Sequence, residues 1–137
     1  MNLREAPLEQ HDYSSVSVRE ALGGERIGCT LYDIAAGQQL WPYHFHWNNE
    51  EWLFVVDGTP TLRAPDGERV LGVGELVRFP EGPAGAHTLF GPGRVAIFST
   101  RNQGSVDYPD SGKVGAGPPW DRLYFRRGDA VDYWEGE

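Results

Sequence analysis

Glycine and proline interrupt this chain so often that long helices cannot fit between them. The 137 residues include 18 glycines and 10 prolines, and both residue types are unfavourable in the interior of a helix. Between these interruptions the apolar residues fall in short runs that suit strands. The sequence therefore predicts an all-β fold, with one short helix near residues 16–22 as the exception.

Eight short strands are predicted between residues 26 and 100. Their ranges are 26–34, 40–46, 52–56, 61–64, 69–71, 75–79, 87–90 and 95–100. The fourth and fifth flank the segment APDGE, in which Pro65, Asp66 and Gly67 suit a tight turn, so these two strands should form a hairpin. Short strands joined by tight turns indicate a sandwich or a jelly-roll barrel rather than alternating βα units.

The chain is predicted to form a single domain made of three segments. Residues 1–25 are an N-terminal segment, residues 26–100 form the barrel core, and residues 101–137 are a C-terminal tail that packs on the barrel. The tail has no strong hydrophobic periodicity, and no strand is predicted in it. A chain of this length can bury a core without disulfide bonds.

The composition argues against several classes of protein. Twenty acidic residues against twelve basic ones give a formal charge of −8, which would repel nucleic acid and anionic membranes. No apolar run is long enough for a signal peptide or a membrane span. The single cysteine, Cys29, rules out an intrachain disulfide and is expected in the core. We therefore expect a cytoplasmic protein that binds neither nucleic acid nor membrane.

The segment WPYHFHWNNEEW, residues 41–52, carries an unusual set of polar residues. His44 and His46 would point to the same face of a strand, and neutral imidazole is a good ligand for divalent transition metals. Glu50 and Glu51 are adjacent, so on a strand only one of them could reach a metal inside the barrel. Alternation alone does not say which one. An isolated pair of histidines is also common on surfaces and in cores.

The residues around these histidines form two spaced motifs. The first is Gly37, six residues, His44-Phe45-His46, four residues, Glu51, six residues and Gly58; the second is Gly74, five residues, Pro80-Glu81-Gly82, four residues and His87. In this order they resemble the two motifs of the cupin superfamily, and the resemblance covers about residues 26–100. The segments FPEGPAGAH and YPDSGK also resemble a group of small single-domain bacterial cupins.

The resemblance implies a cupin jelly-roll barrel, or double-stranded β-helix, that holds one divalent transition metal. The metal would be iron, manganese, nickel, zinc or copper, which the ligand types do not distinguish. The ligands carried over from the motifs are His44, His46, Glu51 and His87. Six residues separate Glu51 from Gly58, as the first motif requires, so the resemblance selects Glu51 over Glu50.

The spacing departs from the family's pattern at two points. Six residues rather than five precede His44, and the extra residue is expected in a loop. Four residues rather than two separate Gly82 from His87. Two is an even number, so His87 would keep its face if the added pair lengthened a strand. In addition, Gly91 stands where an asparagine is usual.

Two functional classes follow from the resemblance. The first is a metal-dependent enzyme, an oxygenase, an isomerase or a lyase, that acts on a small molecule. An octahedral ion with four protein ligands keeps two free positions, where it could polarise a carbonyl or activate water. The second is a non-catalytic cupin module that binds a small ligand or a metal. We expect the enzyme, although the sequence offers no separate acid or base for its pocket.

A homodimer is also expected. The predicted strand at residues 52–56 is apolar on both faces, because Trp52 and Phe54 alternate with Leu53 and Val55. One face can fill the barrel. The other needs cover from the terminal segments or from a second subunit, and cupins commonly pair through such a face.

The remaining histidine, the asparagines and the tryptophans are assigned structural roles. His11 is expected to take no part in the site. Asn48 and Asn49 are predicted to form a turn, since asparagine is common in turns. Four tryptophans are predicted to lie in the core or in an interface, with the lining of a small-molecule pocket as the less favoured alternative, namely Trp41, Trp47, Trp52 and Trp120.

Overall fold

The structure, a computed structural model, describes residues 1–10 and 13–137, so His11 lies outside the described residues. The strands are β1 (Glu9–Gln10), β2 (Ser14–Ser17), β3 (Gly28–Ile34), β4 (Gln39–His46), β5 (Glu51–Gly58), β6 (Thr61–Ala64), β7 (Gly67–Val70), β8 (Leu76–Phe79), β9 (His87–Phe90), β10 (Gly93–Ser99), β11 (Val106–Tyr108), β12 (Lys113–Ala116) and β13 (Leu123–Arg126). One α-helix, α1 (Val18–Ala21), and three 3₁₀ turns complete the described elements, the turns being Pro83–Gly85, Pro119–Asp121 and Arg127–Asp129. No helix in the described part of the chain has the length and apolar character that a membrane span requires.

The strands form two antiparallel sheets. Strand order is β1-β2-β3-β10-β5-β8 in the first sheet and β13-β12-β11-β4-β9-β6-β7 in the second. Both sheets contribute to one core between them, in which Leu53, Val55 and Val95 of the first sheet meet Leu62 and Leu89 of the second. The prediction of an all-β jelly-roll barrel is confirmed.

All eight strands predicted between residues 26 and 100 are present, with ends that differ by a few residues. The predicted hairpin is also present, because β6 and β7 pair antiparallel across the turn with Thr61 opposite Val70. The short helix exists but spans only Val18–Ala21.

Strands at both ends of the chain were not predicted. Strands β1 and β2 extend the first sheet, and β11, β12 and β13 extend the second. Strand β2 has the sequence SSVS, and β13 has LYFR with every residue exposed. Neither shows apolar residues alternating with polar ones, so periodicity could not reveal them. The segment 101–137 therefore contributes sheet strands as well as connecting chain.

The outer face of the first sheet is covered by the N-terminal segment. Val56 of β5 lies there in an apolar cluster with Ala6 and Val18. The Arg94 side chain secures this cover, because it forms two hydrogen bonds to Asp33, of 2.6 and 2.7 Å, and donates to backbone carbonyls of residues 3, 4 and 6. The sequence left two ways to cover the outer face of β5, the terminal segments or a second subunit. The structure shows the N-terminal segment there.

The two departures from the motif spacing are accommodated differently from expectation. The extra residue before His44 lies within β4 rather than in a loop, since the pairing with β9 shifts between Leu40 and His44. Trp41 lies in this irregularity with a positive φ of 42°. The two extra residues before His87 lie in the segment that contains the 3₁₀ turn Pro83–Gly85, so they do not lengthen a strand. His87 nevertheless pairs with His44 and faces the interior.

The motif glycines have a shared backbone property. Gly37, Gly58, Gly74 and Gly82 all have φ between 75° and 88°, a region that residues with a side chain rarely adopt. Glycine at these four positions is therefore explained by the turns that join the strands carrying the candidate ligands.

Candidate metal centre

Three strands bring the four candidate ligands together inside the barrel. His44 and His46 lie on β4, Glu51 is the first residue of β5, and His87 is the first residue of β9. The candidate ligand atoms of His44, His46 and Glu51 all lie within 4.8 Å of one another. His87 Nε2 lies 3.5 Å from Glu51 Oε2. The structure thus brings all four residues to one place, and their ligation of a metal stays a prediction.

The hydrogen bonds of two histidines determine which ring nitrogen faces the cluster. His44 Nδ1 lies 2.8 Å from the carbonyl oxygen of Pro42, and His87 Nδ1 lies 2.9 Å from that of Gly85. A carbonyl oxygen can only accept, so each Nδ1 carries a proton and donates it. In the neutral ring, Nε2 is then left with a lone pair. A backbone carbonyl on the far nitrogen is also a common way of orienting metal-binding histidines.

Burial keeps these two histidines neutral. It is the main cause that lowers the pKa of His44 to about 3, with His87 and His46 as further causes. Burial also lowers the pKa of His87. For Glu51 burial acts to raise the pKa, but the hydrogen bond to His46 and the nearby histidines outweigh it, so the pKa of Glu51 is lowered. At neutral pH the cluster therefore holds two neutral imidazoles and a carboxylate.

This arrangement is rich in electron pairs and poor in protons. The Nε2 atoms of His44 and His87 and the carboxylate of Glu51 are all acceptors. His46 Nε2 contacts two of them, His44 Nε2 at 3.1 Å and Glu51 Oε2 at 3.2 Å, and one ring nitrogen can carry only one proton to donate. His87 Nε2 is buried and has no hydrogen-bond partner among the described residues. A buried acceptor without a donor is costly, so this donor set fits a divalent metal.

The two adjacent glutamates point in opposite directions. Glu51 shares its face with Leu53 and Val55, which are both fully buried. Glu50 lies outside the barrel, where it accepts hydrogen bonds from Trp52 Nε1 at 2.8 Å and from Arg78 Nε at 2.6 Å. The inward position of Glu51 and the outward position of Glu50 agree with the register that the spacing to Gly58 predicts.

Aromatic rings hold the histidines in place. The ring of His87 stacks on Phe79 with centroids 3.7 Å apart and planes 6° apart. Trp41 meets the rings of His44 and His87 edge-on, at 6.1 and 6.4 Å. Its indole Nε1 is buried without a hydrogen-bond partner in the described chain. Trp41, predicted as a core or interface residue with pocket lining as the less favoured alternative, therefore lies against two candidate ligands.

Tyr32 is a second residue near the site that the sequence did not indicate. Burial is the main cause that raises its pKa, and the negative charge of Glu51 adds to the effect. Its ring packs against Trp41 with centroids 4.9 Å apart. Tyr32 lies on β3, outside both motifs and 19 positions before Glu51, so only the folded sheet brings it near that residue.

Solvent reaches the candidate metal centre from the side of His46. The side chains of His46 and Glu51 are 20% and 13% exposed, whereas that of His87 is 1% exposed. A cavity of about 300 Å³ begins at His46, and Arg101 and Arg122 also line it. Both arginines lie in the segment for which no strand was predicted, so sequence analysis assigned them no role.

The turn before His87 has no room for a side chain at Gly85. A Cβ atom there would lie 1.8 Å from the carbonyl oxygen of Pro80, so the Gly85→Ala substitution must move the turn whose carbonyl holds His87. We expect Gly85→Ala to lower the free energy of unfolding by about 2 kcal/mol or more, measured by urea denaturation. Gly128→Ala is the matched control, because a Cβ at Gly128 meets no atom within 4 Å. Equal stability of the two variants would contradict this account of the turn.

No protein-family model matches this chain, and no curated protein sequence matches it either. Solved structures do match. A protein described as "Putative sugar phosphate isomerase" from Acidithiobacillus ferrooxidans superposes with a TM-score of 0.79 and 26% identity, over 88% of this chain and 80% of that chain. A sugar phosphate isomerase from a cupin superfamily, from Silicibacter pomeroyi, gives a TM-score of 0.78 and 21% identity, over 85% of this chain and 78% of that chain.

A third similar structure is an RmlC-like cupin protein from Desulfovibrio desulfuricans. It superposes with a TM-score of 0.57 and 22% identity, over 73% of this chain and 93% of that chain. The matches span both sheets of the barrel and agree with the two motifs in the sequence. The chain therefore has the same fold as these cupin proteins.

Proposed function

We propose that this cupin is a metal-dependent enzyme that isomerises a small molecule carrying a carbonyl and a neighbouring hydroxyl group. The observation that carries the proposal is the group of His44, His46 and Glu51, whose candidate ligand atoms lie within 4.8 Å of one another. Beside it, the buried His87 Nε2 lies 3.5 Å from Glu51 Oε2 and has no hydrogen-bond partner among the described residues. The similarity to two sugar phosphate isomerases favours an isomerase over an oxygenase or a lyase.

The four residues would hold the metal, and the protein around them would position the substrate. A bound divalent metal supplies Lewis acidity, which makes a carbonyl oxygen more electron-poor and the proton on the neighbouring carbon easier to remove. The exposed edge of His46 leaves one side of the cluster open to the cavity. The stack of His87 on Phe79 closes the opposite side against water.

Two neutral donors near the candidate ligands would bind substrate oxygens. Tyr32, whose ring packs against Trp41, has a pKa that burial raises further, so its hydroxyl is a neutral donor at neutral pH. The buried Nε1 of Trp41 is a donor that no described residue uses. Fixed donors of this kind stabilise developing negative charge on oxygen, because they need no reorganisation during the reaction.

Metal analysis followed by an exchange assay tests the proposal. The metal bound to protein purified without added metal is measured first. The protein is then incubated in D₂O with aldose and ketose phosphates and with the corresponding neutral sugars, and the products are followed by NMR. We expect isomer formation with deuterium on the carbon next to the carbonyl, and neither in the metal-free protein.

Other outcomes of this assay identify the alternatives. A bound metal without turnover of any substrate would support a non-catalytic cupin module that binds a metal or a small ligand. Consumption of oxygen with the same substrates would point to an oxygenase. Protein that contains no metal and takes up none would overturn the proposed function.

We further propose that the chain forms a homodimer through strand β13. The strand lies at the edge of the second sheet, and its residues Leu123, Tyr124 and Phe125 are each more than half exposed. An apolar edge strand is a ready template for pairing with a second copy. This location replaces the outer face of β5, which the N-terminal segment covers.

Sedimentation measurements on two charge variants test the homodimer. We expect a dimer at micromolar concentration for the unmodified chain and a monomer for Phe125→Lys, because a buried lysine would disrupt the interface. Val70→Lys is the control, since Val70 lies on β7 at the other edge of the same sheet and is 64% exposed. A monomeric unmodified chain would contradict the proposal, as would equal effects of the two substitutions.

A further inference from the structure

The cavity next to His46 is built from segments that are distant in the sequence. Its lining includes His46 and Asn49 from the motif region and Arg101 and Gln103 from the chain after β10. It also includes Arg122, the residue before β13. The volume of about 300 Å³ lies at the lower end of the range of small-molecule pockets. The cavity can therefore take a small ligand that reaches the candidate metal centre.

The electrostatic character of this cavity differs from that of the whole chain. The chain has 20 acidic and 12 basic residues. The lining of the cavity nevertheless contains two arginines and no aspartate or glutamate. Polar uncharged side chains, including Asn49, Asn102 and Gln103, make up much of the remainder. Because the two arginines carry positive charge and no acidic side chain offsets it in this lining, the cavity favours a negatively charged ligand.

The two arginines have unused donors. Among the ion pairs of the described residues, none includes Arg101 or Arg122. Arg122 Nε is buried and lacks a hydrogen-bond partner in the described chain. Six other arginines in the described part of the chain instead form ion pairs with aspartate or glutamate, namely Arg19, Arg63, Arg69, Arg78, Arg94 and Arg127. A buried guanidinium nitrogen without an acceptor is costly unless a ligand supplies one.

The backbone at Arg101 is also unusual. Its φ is 57°, which a residue with a side chain seldom adopts, and one guanidinium nitrogen donates to the carbonyl oxygen of Glu25 at 3.0 Å. That hydrogen bond fixes one end of the guanidinium and leaves the other donors free. Residues held in such conformations cluster at ligand-binding sites, because the surrounding structure must maintain them.

We propose that Arg101 and Arg122 bind the phosphate group of a phosphorylated substrate whose reacting end lies at His46. Two guanidinium groups match the charge of a phosphate monoester dianion and can form paired hydrogen bonds to its oxygens. The inference rests on the proposed function only in placing the reacting end of the substrate at the candidate metal centre. Binding of phosphate itself depends on the arginines and does not require a metal.

Titration of the full chain with inorganic phosphate tests this subsite. The ¹⁵N-labelled protein is studied metal-free and metal-loaded, at pH 7.5 and fixed ionic strength, and the arginine Nε–H and tryptophan Nε1–H signals are followed by NMR. We expect saturable shifts of the Arg101 and Arg122 signals in both forms. In Arg101→Gln and in Arg122→Gln, the Kd for phosphate should rise by about tenfold or more, as expected for one lost charge-assisted contact.

The controls separate this site from general charge effects and from the metal. Arg69→Gln removes an equal charge from an exposed arginine of β7 and should leave the Kd unchanged. Absence of saturable binding up to about 20 mM phosphate, well above a millimolar Kd, would overturn the proposal. An equal loss in Arg69→Gln would do the same, and so would equal shifts with acetate, which would assign the arginines to a carboxylate instead.

The same variants distinguish failure of the subsite from failure of the proposed function. Both arginine substitutions should leave the metal content unchanged, because neither arginine contacts the candidate ligands. If phosphate binds as expected but the protein takes up no metal, the subsite stands and the metal-dependent enzyme does not. If metal binds but phosphate does not, the subsite fails, and the exchange assay alone decides the proposed function.

Discussion

Glu51→Gln should lower the affinity for the metal by a factor of about 100 or more, while Glu50→Gln leaves it nearly unchanged. Glu51 is the only carboxylate in contact with the histidine cluster among the described residues, with oxygen-to-nitrogen distances of 3.2 Å to His46 and 3.5 Å to His87. The glutamine keeps the volume but loses the negative charge that offsets desolvation of the ion. Even substitution of a residue that only orients a metal ligand typically costs about 10- to 100-fold.

The two variants are matched controls for each other, since they make the same change at adjacent positions. Glu50→Gln removes a charge that pairs with Arg78 outside the barrel. The affinity is measured by competition with a chelator, and the metal content by elemental analysis of both purified proteins. The reverse ranking would mean that the register of β5 is shifted by one residue.

His87→Phe should abolish the stabilisation that the metal confers and leave the stability of the metal-free protein nearly unchanged. Phenylalanine keeps the ring that stacks on Phe79 and removes Nε2, which is buried without a partner in the described chain. The substitution also removes the hydrogen bond to Gly85, worth about 1 kcal/mol, but it removes an unsatisfied buried group of similar cost. A metal that binds only the folded state raises its stability in proportion to the logarithm of its concentration.

Thermal unfolding with and without added metal measures both effects. Thr88→Val is the structural control, because the Thr88 hydroxyl hydrogen-bonds the backbone carbonyls of residues 40 and 41 on β4. We expect Thr88→Val to lower the Tm of the metal-free protein and to keep the shift on metal addition. If His87→Phe kept that shift, His87 would be a structural core residue and not a ligand.

The central part of the site was predictable because it depends on short-range geometry. His44 and His46 are two residues apart on one strand, and alternation alone puts both imidazoles on the same face. Alternation could not choose between Glu50 and Glu51, and the spacing to Gly58 supplied the missing register. His87 was placed correctly on the interior face although its two extra residues form a turn, because the turn delivers it directly to the start of β9.

The cavity could not be predicted for the opposite reason. Arg101 and Arg122 are 21 positions apart and meet because β11 to β13 add to the edge of the second sheet beside β4. Strand β13 is exposed on both faces, and β11 and β12 are only three and four residues long, so these strands leave no clear alternating pattern. Tyr32 was missed in the same way, since the pairing of β10 with both β3 and β5 decides what lies near Glu51.

The interleaved strand order constrains how the chain can fold. In the first sheet β10 lies between β3 and β5, and in the second β4 lies between β11 and β9. Neither sheet can therefore assemble completely from strands that are consecutive in the sequence. The central strands β10 and β4 pair with strands that lie dozens of residues away. Loop closure must precede most of the favourable contacts, and chains of this topology typically fold in about milliseconds to seconds. Until then the unpaired strand β4, with its two histidines, is exposed to other chains and to free metal ions alike.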